Sequence, residues 1–319
     1  MRSSSYRVLS LFVFVLSACT HEAAEPLNTG KFISPATQSS ADVGNMPMNL
    51  ALTPDGRYAL VSDMGYHQSL WSIRTSDGRG VSHINFEPPK EKKAKRSQKP
   101  SGEDDDVPTP PGSSKSIGLY YGLAVSDGNA VYAAQGAHDS IAVLNVNDDG
   151  AISPRDSIKT NARDFPAGLA LDDRGFLYVA NNASGDGDPT KLSGSVAIYD
   201  TTAKTEIGRY AFSNSHGGTS NFPLGIAVLR SGATAYVAAE RDDAVYALDT
   251  RDAAKPALLA NIVVGSHPVA LILSSDQTRL FVANSLSDTV SVIDTKSNTV
   301  VATILLRPEC ALCKPHLFF

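Results

Sequence analysis

Apolar residues fall in short runs along most of this chain, with turn residues between them. Leu177-Tyr-Val-Ala-Asn181, Val196-Ala-Ile-Tyr-Asp200 and Val290-Ser-Val-Ile-Asp294 are typical. Each run is strand-length, rich in β-branched and aromatic residues, and bounded by Asp, Asn, Gly or Ser, which reads as a β-strand ended by a turn. The runs are continuously apolar rather than alternating, so both faces of the sheets they form are expected to be covered. No amphipathic helix of 12 residues is found after the N-terminal segment. An all-β fold follows.

The runs recur as sets. A first motif appears as Pro47-Met-Asn-Leu-Ala-Leu-Thr-Pro-Asp-Gly56, Tyr120-Tyr-Gly-Leu-Ala-Val125, Pro166-Ala-Gly-Leu-Ala-Leu171, Pro223-Leu-Gly-Ile-Ala-Val228 and Pro268-Val-Ala-Leu-Ile-Leu273. Second and third strand motifs follow each, and then a fourth, the last spanning Thr299 to Leu305. Successive first motifs are 73, 46, 57 and 45 residues apart, a basic period near 45 lengthened by two insertions. A period of this size with four short strands per unit is the mark of a β-propeller. A lone four-stranded sheet cannot bury both faces, whereas sheets stacked around an axis bury one another's. The Asp-Gly and Ser-Asp steps between first and second strands are hairpin turns.

The second-strand motifs Leu177-Tyr-Val-Ala-Asn181 and Leu280-Phe-Val-Ala-Asn284, with Asn298-Thr-Val-Val-Ala-Thr-Ile304, resemble the YVTN repeat. That family comprises bacterial, mostly exported seven-bladed propellers and is related to propeller lactonase-like proteins. The resemblance covers residues 30–306 and implies a propeller of four-stranded antiparallel blades. Its signature residues pack blades and make turns, so it implies little about activity. About five blades are visible. Leu27-Asn-Thr-Gly-Lys-Phe-Ile33 is similar to the fourth-strand motif and reads as an N-terminal closing strand. The blade that should receive it is missing. The expectation is therefore an incomplete seven-bladed ring, cut by truncation or a frame change near Arg307-Pro308.

The N-terminus stands outside this pattern. Arg2 and Arg7 precede the apolar stretch Val8 to Leu16, and Leu16-Ser-Ala-Cys19 resembles a bacterial lipobox. Residues 1–18 read as a lipoprotein signal peptide, too short to span a bilayer, with Cys19 as the lipidated first residue of the mature chain. Residues 19–29 form a polar tether. The expected location is the bacterial cell envelope, in the periplasm or at the cell surface, anchored to membrane through Cys19.

Charge excludes some partners. The chain carries −5, with 28 basic and 33 acidic residues; without Arg2 and Arg7 the balance is 26 to 33, or −7. No nucleic-acid partner is expected from so acidic a surface. Residues 87–116 hold six Pro, seven Lys/Arg, six Asp/Glu and no aromatic, a composition that cannot build a core and reads as a disordered, solvated insertion. A polyampholyte arm for a partner is the alternative. Ala183 to Leu192 is a second, Gly/Asp-rich insertion; Asp186-Gly-Asp188 lacks the further ligands of a calcium loop.

Candidate chemistry gathers where loops after second strands meet loops before first strands. The candidate binding residues there are Asp63, His138, Phe165, Asn181, Phe222, Glu240, His267 and Asn284, with His67, Gln135, Asn182, His216 and Arg241 nearby. A polar funnel with Phe165 and Phe222 as apolar anchors would bind a protein or small-molecule ligand. The competing structural reading makes Asn181 and Asn284 loop caps bonded to nearby backbone. There is no Gly-x-Ser-x-Gly and no His-Glu-x-x-His. An enzyme is thus the second reading: a lactonase-like hydrolase in which Glu240, His216 and His267 supply the base. Cys310-Ala-Leu-Cys313-Lys-Pro-His316 offers three soft metal ligands but lacks a zinc site's fourth ligand and a haem site's Cys-His step, so no metal and no cofactor is expected. Residues 307–319 read as an irregular tail. The sequence leads to an exported, lipid-anchored propeller that binds or scaffolds across its loop face.

Overall fold

The computed structural model describes residues 43–44, 46–65, 68–86, 118–182, 194–213 and 221–306, which belong to one compact unit, residues 40–319. Several expectations lie outside the described residues: the signal peptide and Cys19, the tether, the closing strand Leu27–Ile33, both insertions, His67, His216, and the tail with Cys310, Cys313 and His316.

Twenty strands form five separate four-stranded sheets. Blade 1 is Pro47–Leu52 (β1), Tyr58–Asp63 (β2), Ser69–Arg74 (β3) and Gly80–Asn85 (β4). Blade 2 is Leu123–Val125 (β5), Ala130–Gln135 (β6), Ser140–Val146 (β7) and Ile152–Lys159 (β8). Blade 3 is Pro166–Leu171 (β9), Phe176–Asn181 (β10), Ser195–Asp200 (β11) and Thr205–Ala211 (β12). Blade 4 is Pro223–Val228 (β13), Thr234–Ala239 (β14), Ala244–Asp249 (β15) and Ala257–Val263 (β16). Blade 5 is Pro268–Leu273 (β17), Arg279–Asn284 (β18), Thr289–Asp294 (β19) and Thr299–Leu305 (β20). Every sheet is an antiparallel meander in chain order. The only helical turns among the described residues are two short 3-10 turns, Gly136–His138 and Glu240–Asp242. The five blades meet the propeller expectation. The other two blades of a seven-bladed ring have no counterpart among the described residues.

The core lies between blades. Leu60 and Leu70 of blade 1 pack on Leu123, Val131 and Leu144 of blade 2. Tyr132 and Ile141 of blade 2 meet Leu177, Val179 and Tyr199 of blade 3. Tyr178 and Ile198 of blade 3 meet Ile226, Val237 and Leu248 of blade 4. Tyr236, Val245 and Ile262 of blade 4 meet Leu280, Val282 and Ile293 of blade 5. Both faces of the middle blades are therefore covered, which is why their strands are apolar throughout. Each fully buried Leu or Tyr contributes roughly 1.5–3 kcal/mol.

The glycine of the first motif is a packing device. A Cβ on Gly122 would stand 2.0 Å from the Ala167 carbonyl oxygen, and one on Gly168 would stand 2.0 Å from that of Leu224. Its absence lets neighbouring first strands touch at the axis.

Polar locks supplement the apolar seams. Asp172, with its side chain fully buried, accepts from Arg174 Nε at 2.8 Å and from the Tyr178 hydroxyl at 3.0 Å. Arg174 Nη2 also donates to the carbonyl oxygens of Gly232 at 2.8 Å and Thr250 at 3.1 Å, tying blade 3 to blade 4. Burial, and then the Asp172 charge, push the Tyr178 phenol up to about 12.

Candidate functional site

The loop face repeats one construction. The residue before the first strand takes a left-handed backbone in three blades: Phe165 at φ 49, Phe222 at φ 55 and His267 at φ 61. Bulky side chains rarely adopt that conformation, and it costs on the order of 1 kcal/mol. Hydrogen bonds hold it in place. The amides of Phe165 and His267 donate to Asp139 Oδ1 and Asp243 Oδ1 at 2.9 and 2.8 Å. The three carbonyls accept from the amides of Asn182, Glu240 and Ser285. Both aspartates are themselves left-handed, each ending a 3-10 turn of the preceding blade. Sequence-adjacent blades are thereby latched, and the side chains before each first strand are fixed beside the loops after the second strands.

Blades 4 and 5 bring Glu240 and His267 together: Glu240 Oε1 lies 2.6 Å from His267 Nδ1. Only 15% of the Glu240 side chain is exposed, against 36% for His267. With the carboxylate as acceptor, Nδ1 is the protonated nitrogen facing Glu240, and in the neutral ring Nε2 is the one left to accept. The second carboxylate oxygen, Oε2, is buried and has no hydrogen-bond partner among the described residues. Such an oxygen is costly unless a donor reaches it.

Tyr120 of the blade 2 entry extends this cluster. Burial raises its phenol's pKa, the Asn182 side-chain hydrogen bond counteracts that, and the Glu240 charge raises it further. Its ring meets Phe165 edge-on at 5.0 Å between centroids. The neighbouring Tyr121 hydroxyl reaches the Val269 carbonyl of blade 5 at 3.4 Å. Four blades thus converge, with Tyr120, Asn182, Glu240 and His267 as their polar contributions. The sequence reading passed over Tyr120. The available signal was a break in the repeat, since Tyr120 stands where the other four first motifs have Pro.

The remaining candidates divide. Asp63 is fully buried and accepts from the amides of Met46 at 2.7 Å and Gly65 at 3.2 Å, closing the blade 1 loop. Asn181 Nδ2 donates to Ser195 Oγ at 3.1 Å, and Asn284 Nδ2 to Thr289 Oγ1 and Ser291 Oγ at 3.0 Å each. These amides brace the second strand to the third through side chains, where the capping reading expected backbone partners. Phe222 carries the Arg241 guanidinium over its ring at 5.1 Å. His138 lies beside Gly118, with Nε2 buried and without a hydrogen-bond partner among the described residues. Arg209 braces the Phe165 loop by donating from both Nη atoms to Asp164, each at 2.8 Å. Among the described residues, no three His, Cys, Asp or Glu side chains converge as a metal site would require.

The arrangement can accept hydrogen bonds from a ligand at Glu240 Oε2 and, in the neutral ring, at His267 Nε2.

No protein-family model matches the chain, and no curated protein matches it. Solved structures do. The chain is similar to a functionally unknown protein from Desulfotomaculum acetoxidans, at 17% identity and TM-score 0.55, over 87% of this chain and 76% of that one. It is also similar to the hydrazine synthase of Kuenenia stuttgartiensis, at 18% identity and TM-score 0.54, over 79% of this chain and 72% of that one. At these identities the likeness bears on the propeller fold alone.

Proposed function

We propose that this chain is a binding or scaffolding module of the bacterial cell envelope, held to membrane through a lipidated Cys19. It recognises a protein or small-molecule ligand at the loop face. The second-strand motifs support a relationship to the YVTN-repeat propellers. One observation carries the binding reading: the 2.6 Å Glu240–His267 pair, whose buried Oε2 has no partner among the described residues, at a point where four blades converge. A group that donates hydrogen bonds, such as an amine or a polyhydroxyl compound, would satisfy that oxygen. Thermal-shift screening of the mature protein against amines, amino acids and sugars tests this. A hit should raise the melting temperature of the wild type and not of Glu240→Gln. If no class gives a Glu240-dependent shift, the reading fails.

The same pair favours a second reading. A carboxylate orienting an imidazole is the arrangement of a general base acting on water. In a lactonase-like hydrolase, His267 Nε2 would be that base. Turnover of a lactone panel, lost in Glu240→Gln, would establish it; no turnover by the wild type would remove it.

A further inference from the structure

The five blades share four seams, and the two outward faces of the end blades carry apolar residues at the repeat positions that build those seams. Blade 4 shows blade 5 a face built from Ala227, Tyr236, Ala247 and Ala260, with Val245 and Ile262 beside them. The same repeat positions on the free face of blade 5 are Ile272, Phe281, Val292 and Ala302, with Val290 and Ile304 beside them. Tyr236 is 0% exposed and Ile262 5%, whereas Ile272 is 67% and Ile304 47% exposed.

The opposite face repeats in the same way. Blade 5 meets blade 4 with Leu271, Leu273, Val282 and Ile293. The matching positions of blade 1 are Leu50, Leu52, Val61 and Ile73, joined in register by Trp71. Leu50 is 59% and Leu52 53% exposed. Among the described residues nothing mates these two faces, whose first-strand and outer positions are exposed while the central Val61 and Val292 are 6% and 8% exposed. Clusters of exposed apolar side chains on a sheet face mark interaction surfaces.

We infer that the free face of blade 5 docks on the free face of blade 1 of a second copy, continuing the blade-to-blade seam between molecules. The occupant follows from continuity with the four internal seams: each free face has its complement, at equivalent positions, on this same chain. Larger residues at the first-strand glycine position are no obstacle, because Asn49 holds it in blade 1 and blade 2 still packs there. The contact is head-to-tail, since the two docking faces differ.

Sedimentation and light scattering of the full chain, in mild detergent, give the test. The wild type should show a concentration-dependent mass of at least twice the monomer. Leu50→Glu removes one face and Ile272→Glu the other; each alone should be monomeric, with dissociation at least 10-fold easier. Both residues are exposed within one molecule, so circular dichroism and melting should match the wild type. Mixing the two variants should restore a dimer and nothing larger, because each retains the face the other lacks. A wild type that stays monomeric across the concentration range overturns the inference, whatever else covers the faces. A Leu50→Glu chain that associates like the wild type also overturns it, because the contact would then not be head-to-tail.

Discussion

Glu240 and His267 lie 27 residues apart and in different blades, yet their side chains meet at 2.6 Å. Two local devices produce the contact. Glu240 opens the 3-10 turn after β14, and Asp243, at the end of that turn, holds the His267 amide. The latch that joins the blades therefore also assembles the pair.

The pair selects a tautomer. In the wild type, 15N NMR should find neutral His267 with its proton on Nδ1. In Glu240→Leu the proton should redistribute toward Nε2, the position usual for a free imidazole. An unchanged tautomer in Glu240→Leu would mean that the carboxylate does not orient the ring.

Gly168, unlike the Asn49 and Ala270 positions, has no room for a methyl. In Gly168→Ala, the new Cβ would begin 2.0 Å from the Leu224 carbonyl oxygen, so the first strands must part. A loss of about 1–3 kcal/mol in urea unfolding is expected. The solvent-facing turn glycine Gly128, where a Cβ meets nothing closer than 3.9 Å, serves as the control.

Arg174→Met should loosen the seam between blades 3 and 4. It leaves the buried Asp172 carboxylate with one donor fewer and frees the carbonyls of Gly232 and Thr250. Removing one partner of a buried pair costs about 3–5 kcal/mol, and the partial exposure of Arg174 puts the expected loss near the lower end. Chemical denaturation measures it, and a change under about 0.5 kcal/mol would show that the network is dispensable.

Alkaline stability should fall between pH 10 and 12. Burial pushes the phenols of Tyr178 and Tyr236 up to about 12 in the folded chain, against about 10 when unfolded. Over that range the folded state binds more protons than the unfolded one, so stability declines as pH rises. It is fully present below pH 10 and lost as pH passes through 12. Melting temperature followed from pH 8 to 12 tests the trend, and Tyr236→Phe should flatten part of it.

Much of the fold was legible in the chain. The second-strand runs Leu177–Asn181 and Leu280–Asn284, and the last fourth strand Thr299–Leu305, are strands within those bounds. Strand period and turn residues are local properties, so each blade announces itself in its own 45 or so residues. The site was legible only in outline. Glu240, His267, Phe165 and Phe222 stood out as loop residues. Tyr120 was missed because its importance comes from Asn182 and Glu240, which belong to other blades. Asn181 and Asn284 could be read from the chain as funnel lining or as loop caps; the structure shows their amides bracing third strands through Ser195, Thr289 and Ser291.

The sequence by itself determined the β-strands, their grouping in fours and the propeller class, because these depend on side-chain periodicity and turns within a few tens of residues. Only the tertiary structure decided which loop groups face one another and which blade faces stay uncovered. Those depend on how successive sheets stack about the axis, where residues far apart in the chain are placed within bonding distance by seams that no single repeat contains.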